Sequence, residues 1–100
     1  MMDEATMREL AQAHAQAVVD PLDAERVAAD LIPDLRPHLP EIAKLLPQPV
    51  TSAEVRSLQV QGDHAVVEIA YSGAEKTTTI RSRWEDRGAG QAQIVEAAPV

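Results

Sequence analysis

Hydrophobic and polar positions follow two different rhythms along this 100-residue chain. Residues 3–46 are rich in Ala, Leu, Glu and Gln, and their apolar positions recur three and four residues apart, as on a helix with one buried face. Residues 51–98 are rich in Val, Thr and Ile and alternate apolar with polar positions, which is typical of strands. The pattern predicts an α+β fold with one domain over residues 1–100, helical over 1–49 and a sheet over 50–100.

The first helix is predicted from about Glu4 to Val19, and its apolar face contains one polar residue, His14. The residues that recur at helical spacing on this face are Met7, Leu10, Ala11, His14, Ala17 and Val18. His14 is therefore expected on the inner side of the helix. There it either packs in the core or acts as a working group in a pocket.

Two further helices are predicted before the sheet. One begins with Asp20 as its N-cap and Pro21 at its first helical position. Five prolines between residues 33 and 49 allow only a short third helix over the stretch PEIAKLL. The side chains that these two helices are expected to bury are Leu22, Val27, Leu31, Ile42, Leu45 and Leu46.

The second half of the chain is predicted to form a curved four-stranded antiparallel meander. A turn at Gly62-Asp63 places Val60 opposite Ala65 and Leu58 opposite Val67, so that one face collects the apolar side chains. A second turn centred on Gly73-Ala74 and a longer loop before the last strand extend this inner face. The pairs predicted across these two hairpins are Val67–Ile80, Ile69–Thr78, Ala65–Ser82, Trp84–Ala92 and Ser82–Ile94.

The outer face of the predicted sheet is not the Lys and Glu lattice expected of a solvated surface. It mixes apolar residues and threonine with arginine, a residue enriched at interfaces. We expect a homodimer through this face, with an arginine of one copy near Glu68 of the other; the alternative is a monomer whose outer face is merely short of charge. The predicted interface residues are Val66, Glu68, Thr79, Arg81, Arg83 and Val95.

Composition excludes several classes of partner and site. A net charge of −7 repels a phosphate backbone, so nucleic acid is not an expected partner. The chain has no cysteine, its histidines lack ligand spacing, and its only Gly-rich stretch falls in a hairpin loop, so neither a metal nor a cofactor is expected. With no export signal and no long apolar run, we expect a cytoplasmic protein that does not enter a membrane.

The helices and the following stretch VTSAEVRSLQVQGDHAVVEIAYSGAEKTTTIRSRWEDRGAGQAQIVEA together resemble a compact member of the nuclear transport factor 2-like, or cystatin-like, superfamily. The resemblance rests on GD before a strand, YSG before a Thr-rich strand, Trp84, a charged Gly turn and IVEA. It implies a cone in which the sheet wraps the helices around a pocket, and dimers that stack sheet on sheet. This chain departs from larger members, which insert a hairpin and a helix where only PEIAKLL stands, and it has Ala92 where many carry a tryptophan.

Few side chains on the predicted inner face can carry chemistry. The residues expected around the pocket are His14, Tyr71, Ser82, Trp84 and Glu96. The first interpretation is a non-catalytic domain that binds a small apolar ligand or a protein. The alternative is a small lyase, isomerase or hydrolase in which His14 and Glu96 form an acid-base pair with Tyr71 as hydrogen-bond donor. A β-bulge that turns Glu96 outward would remove this pair.

Overall fold

Three helices precede a four-stranded sheet in the computed structural model, which describes residues 2–88 and 91–100. Their bounds are α1 Glu4–Val18, α2 Ala24–Ala29, α3 Leu39–Lys44, β1 Ser52–Gln61, β2 His64–Ser72, β3 Thr77–Gly88 and β4 Gln91–Pro99, with a short 3₁₀ turn over Arg36–His38. The strands pair antiparallel in the order β1-β2-β3-β4. The predicted α+β class, with helices packed on a four-stranded antiparallel sheet, is confirmed.

The first helix begins after a capping aspartate whose backbone is extended. The Asp3 carboxylate accepts a hydrogen bond from the Thr6 backbone N–H at 3.1 Å, which satisfies one of the free N–H groups of the first turn. The helix buries Met7, Ala11 and His14 on one face, as its periodicity predicts. That face packs against β1 and β2, so the helix and the sheet share one core.

The prediction for the start of α2 was wrong. The cap is Asp23, whose carboxylate accepts from the Arg26 N–H at 3.1 Å, and not Asp20. The Asp20 N–H instead donates to the Val50 carbonyl at 2.8 Å, which ties residues 19–22 to the chain entering β1. Leu22 is consequently 52% exposed instead of buried.

The later part of this region agrees more closely with the prediction. Val27 and Leu31 are buried, and the predicted short third helix is present as α3. Leu45, however, lies just after α3 and is 41% exposed, so only part of its expected apolar face turns inward.

The first hairpin has the predicted register, whereas the second is displaced. Val60 lies opposite Ala65 and Leu58 opposite Val67. In the second hairpin the loop runs from Gly73 to Lys76 and is closed by a 2.9 Å bond from the Gly73 N–H to the Lys76 carbonyl. This longer loop moves every partner on β3 by two residues. The observed pairs are Val67–Ser82, Ile69–Ile80 and Ala65–Trp84.

The third hairpin does not form the predicted pairs Trp84–Ala92 and Ser82–Ile94, and a bulge reverses the side chains that follow Val95. Trp84 lies opposite Ile94, whereas Arg83 lies opposite Glu96, so β4 holds one extra residue, Val95. This β-bulge shifts the alternation of β4 by one and turns Glu96 to the outer face, where its side chain is 69% exposed. Ala97 is the residue opposite Ser82 on the inner face.

The free edge of β4 is covered by the chain that comes after α2. The Ile94 N–H donates to the Asp30 carbonyl at 2.7 Å, and the Ile32 N–H donates to the Ile94 carbonyl at 3.1 Å. These bonds pair the segment 30–32 with the middle of the strand. Within the described residues, no helix has the length and apolarity that a bilayer crossing requires.

Candidate ligand pocket

A cavity of about 440 Å³ lies between the helices and the inner face of the sheet. Most of its wall is aliphatic, and the exposed residues Asp20 and Gln48 mark its mouth. The main apolar lining residues are Val18, Val27, Leu31, Leu39, Ile42, Leu46, Ile69, Ile80, Ile94 and Ala97. A volume of this size and a wall of this character are typical of sites for small apolar molecules.

One wall of the cavity depends on close contact between the prolines after α3 and the β2–β3 loop. A Cβ atom placed on Gly73 would lie 2.6 Å from the Pro47 Cβ and 2.9 Å from the Pro49 carbonyl oxygen. The Thr78 hydroxyl also donates to the Leu45 carbonyl at 3.0 Å. The absence of a side chain at Gly73 therefore lets the loop hold this wall in place.

A buried histidine in the cavity wall contacts a buried aspartate. His14 Nδ1 lies 2.8 Å from Asp30 Oδ2, and the two side chains are only 8% and 10% exposed. Arg26 Nε lies 3.3 and 3.2 Å from the two Asp30 oxygens, so it supplies the counter-charge. A carboxylate only accepts hydrogen bonds, so Nδ1 carries the proton, and in the neutral imidazole the lone pair is on Nε2.

The Tyr71 hydroxyl lies within the influence of the same carboxylate. Tyr71 lies in β2, is only 3% exposed and lines the cavity. Burial, and to a lesser extent the negative charge of Asp30, raises the pKa of Tyr71 far above its ordinary value of 10.0. At neutral pH this hydroxyl is therefore protonated and can donate a hydrogen bond.

The side chains of Ser82 and Trp84 are joined by a hydrogen bond. The Trp84 Nε1–H donates to Ser82 Oγ at 3.0 Å, and the Ser82 hydroxyl points to the Val67 carbonyl at 3.5 Å. The Trp84 ring is fully buried and meets the His14 ring edge-on, with the two ring centroids 5.6 Å apart. Trp84 therefore packs against the His14 ring from within the core.

Two polar atoms face the cavity without a partner. Among the described residues, neither His14 Nε2 nor Tyr71 Oη makes a hydrogen bond, and no fully buried side-chain nitrogen or oxygen lacks one. Both atoms therefore keep some exposed surface, and both residues line the cavity. They can provide one acceptor and one donor in a mostly apolar space.

Three of the five residues expected around the pocket line it, and two do not. His14, Tyr71 and Ser82 are in its wall, whereas Trp84 is sealed in the core and is not among the described lining residues. Glu96 is on the outer face, 3.2 Å from Arg83, because of the bulge in β4. A His14–Glu96 acid-base pair is thus ruled out by the geometry.

Sequence reasoning missed Asp30, the residue that pairs with His14. One signal was present: Asp30 stands at the C-terminal end of α2, between Ala29 and Leu31. A carboxylate there opposes the helix dipole and lies in an apolar stretch, so it requires a positive or hydrogen-bonding partner.

The outer face of the sheet is internally charge-paired. Glu68 lies directly opposite Arg81, with its Oε2 2.9 Å from an Arg81 nitrogen, so the two side chains form an ion pair within one chain. Arg83 similarly contacts Glu96 and Glu85. Val66, Thr79 and Val95 are partly exposed. Within the described residues, no three His, Asp or Glu side chains are grouped closely enough to hold a metal ion.

The chain shares its fold with solved structures of other proteins. The intermembrane space region of the chloroplast protein ARC6 matches with a TM-score of 0.59 and 16% identity, covering 100% of this chain and 98% of that one. The solution structure of RPA3114, a SEC-C motif containing protein from Rhodopseudomonas palustris, matches with a TM-score of 0.61 and 19% identity, covering 97% of this chain and 77% of that one. No protein-family model and no curated protein matches the chain. At these identities the likeness establishes the fold alone.

Proposed function

We propose that this chain is a non-catalytic binding domain that holds a small apolar molecule in the pocket between its helices and its sheet. The observation that carries the proposal is the mostly apolar cavity of about 440 Å³, whose wall includes two polar atoms that form no hydrogen bond within the described residues. A fold that needed only to be stable would fill such a space, because apolar surface left in contact with water forgoes about 25 cal/mol per Å² of burial free energy. Binding an apolar molecule recovers contacts that the cavity lacks.

Naphthalene is a suitable first probe, because it is uncharged and carries no hydrogen-bonding group. We expect it to shift the amide resonances of pocket residues in an NMR titration. Ala43→Phe adds a ring to the pocket wall and should abolish the shifts, whereas Ala13→Phe adds the same ring to the exposed side of α1 and should leave them intact. Absence of binding to the natural sequence, or equal binding to the Ala43→Phe variant, would overturn the proposal.

A second candidate function is acid-base catalysis by a lyase, isomerase or hydrolase. The observation that favours it is the 2.8 Å contact between His14 and Asp30, which orients a basic Nε2 toward the cavity. With 1-tetralone as probe, Nε2 would take a proton from the carbon beside the carbonyl, and the Tyr71 hydroxyl would hydrogen-bond the enolate oxygen. Deuterium exchange into that carbon, accelerated by the natural sequence but not by His14→Gln, would support an enzyme. Exchange at the buffer rate, with tetralone bound, would exclude this chemistry.

Three further inferences stay predictions. Membership of the nuclear transport factor 2-like superfamily is supported by helices that enclose a pocket against an antiparallel meander. A homodimer through the outer sheet face is supported by the mixture of apolar residues and paired charges on that face. A cytoplasmic location rests on the sequence alone.

A further inference from the structure

Some polar atoms around the pocket already form hydrogen bonds within the protein, and others do not. Asp30 is engaged by His14 and Arg26, and Ser82 is engaged by Trp84. The side-chain atoms of these residues that remain for a ligand are therefore His14 Nε2 and Tyr71 Oη. Both residues line the same cavity, and the Asp30 carboxylate that contacts His14 also acts electrostatically on Tyr71.

The two atoms have complementary roles. Nδ1 of His14 donates to the carboxylate, so the neutral ring offers an acceptor at Nε2. The Tyr71 hydroxyl keeps its proton and offers a donor. A hydroxyl group is the smallest ligand group that can satisfy both, since it donates one hydrogen bond and accepts another.

The charges near His14 disfavour an anionic ligand. The Asp30 carboxylate is balanced by the Arg26 guanidinium, with Nε 3.2 Å from Oδ2. A ligand carboxylate would add a second negative charge beside Asp30 in an apolar space, without a cation of its own. An uncharged group leaves the local charge balanced.

From these contacts we propose that the pocket selects an uncharged ligand with an apolar body and a hydroxyl group, which donates to His14 Nε2 and accepts from the Tyr71 hydroxyl. This inference rests on the proposed function and names the ligand class for the same pocket. It makes Tyr71 and His14 residues that determine specificity, whereas the aliphatic wall supplies most of the affinity.

Three probes with the same ring system test the proposal: naphthalene, 1-naphthol and 1-naphthoate, each titrated by calorimetry and NMR at pH 7. We expect 1-naphthol to bind about three- to tenfold more tightly than naphthalene, which is the usual net effect of a hydrogen bond. We expect 1-naphthoate to bind at least about tenfold more weakly than 1-naphthol, because its charge is not compensated.

Tyr71→Phe provides the matched variant, because it removes one oxygen and keeps the ring. It should lower the affinity for 1-naphthol about three- to tenfold and leave that for naphthalene unchanged. His14→Leu should likewise remove the preference for 1-naphthol, and Tyr71→Phe suffices if that variant does not fold. Equal binding of naphthalene and 1-naphthol, an unchanged preference in Tyr71→Phe, or tighter binding of 1-naphthoate would overturn the inference while leaving a ligand pocket. Failure of naphthalene itself to bind would overturn the proposed function.

Discussion

Replacing Asp30 by Ala and His14 by Leu, singly and together, measures the strength of the buried contact between these two side chains beside the pocket. The two side chains meet at 2.8 Å and are only 10% and 8% exposed, so solvent screens the contact weakly. A hydrogen bond to a charged group contributes about 1.5–3 kcal/mol, and a buried donor or acceptor that loses its partner costs about 1–3 kcal/mol. We therefore expect a coupling energy of about 2 kcal/mol, with the double variant less destabilised than the sum of the single ones.

The double-mutant cycle isolates this pair from its neighbours. The contact between Asp30 and Arg26 is lost in both variants that lack Asp30, and the edge-on contact with Trp84 changes in both that lack His14, so each cancels. Urea unfolding followed by circular dichroism at pH 7 gives the four free energies. The control pairs His14→Leu with Asp34→Ala, an exposed aspartate without a hydrogen bond to any described side chain, and should be additive. A coupling below about 0.5 kcal/mol in the main cycle would refute the assignment of this pair as a structural unit.

Four other results are expected. Trp84→Ala should lower the free energy of unfolding by about 3–5 kcal/mol in urea unfolding, because the ring is 0% exposed. Gly73→Ala should displace Pro47, whose Cβ would lie 2.6 Å from the new methyl, and lower naphthalene affinity in an NMR titration. The phenol absorbance of Tyr71, the one tyrosine in the chain, should titrate at higher pH in the folded state than in urea. Val66→Lys should dissociate a homodimer in light scattering coupled to size exclusion.

Each of these expectations has a control or an opposite outcome. Gly62→Ala meets no atom within 4 Å but has a φ of +61°, so it should cost about 1–2 kcal/mol of stability and leave naphthalene affinity unchanged. Gln12→Lys, on the exposed side of α1, should leave the oligomeric state unchanged. A loss below about 1 kcal/mol in Trp84→Ala would place the ring at the periphery. A mass of one chain that is constant on dilution would exclude the dimer.

The tyrosine titration also fixes the sign of an alkaline effect on stability. Because the folded-state pKa of Tyr71 is raised, its contribution is fully present below the unfolded pKa of about 10. Above that pH the unfolded chain loses the proton while the folded chain keeps it, so the free energy of unfolding falls by up to about 1.4 kcal/mol per pH unit. Tyr71→Phe should lack this part of the decline. Equal phenol titration in folded and unfolded protein would contradict the burial of Tyr71.

The face on which most side chains of the sheet lie was predictable, because an error of two residues in the strand register leaves it unchanged. The second hairpin was displaced by two residues, yet Ile80, Ser82 and Trp84 still face inward, since a shift of two preserves the face. The bulge at Val95 is different, because one extra residue reverses the facing of every later residue in the strand. An apolar pattern cannot decide between a regular and a bulged strand here, because Val95 and Ala97 are compatible with either face, so the sequence left the direction of Glu96 open.

The pocket was predictable in position but not in its central contact. His14 can be placed from helical spacing and Tyr71 from strand alternation, because each depends only on neighbours close in sequence. The partner of His14 lies 16 residues away on another helix, and its placement depends on how α2 turns back toward the sheet. That turn is set by the Asp23 cap and by the bond from Asp20 to Val50, which compete with an equally acceptable cap at Asp20.

The segment 30–32 along β4 has a consequence for how copies of this protein can aggregate. A sheet with two open edges can add strands at both ends and grow into a fibre. Here the amide and the carbonyl of Ile94 are already bonded to Asp30 and Ile32, which blocks continuous strand pairing along β4. Among the described strands, pairing through the middle of an outer edge is therefore left to β1. We expect two copies joined along β1 to have no second edge of this kind, so that growth by this route stops at a pair.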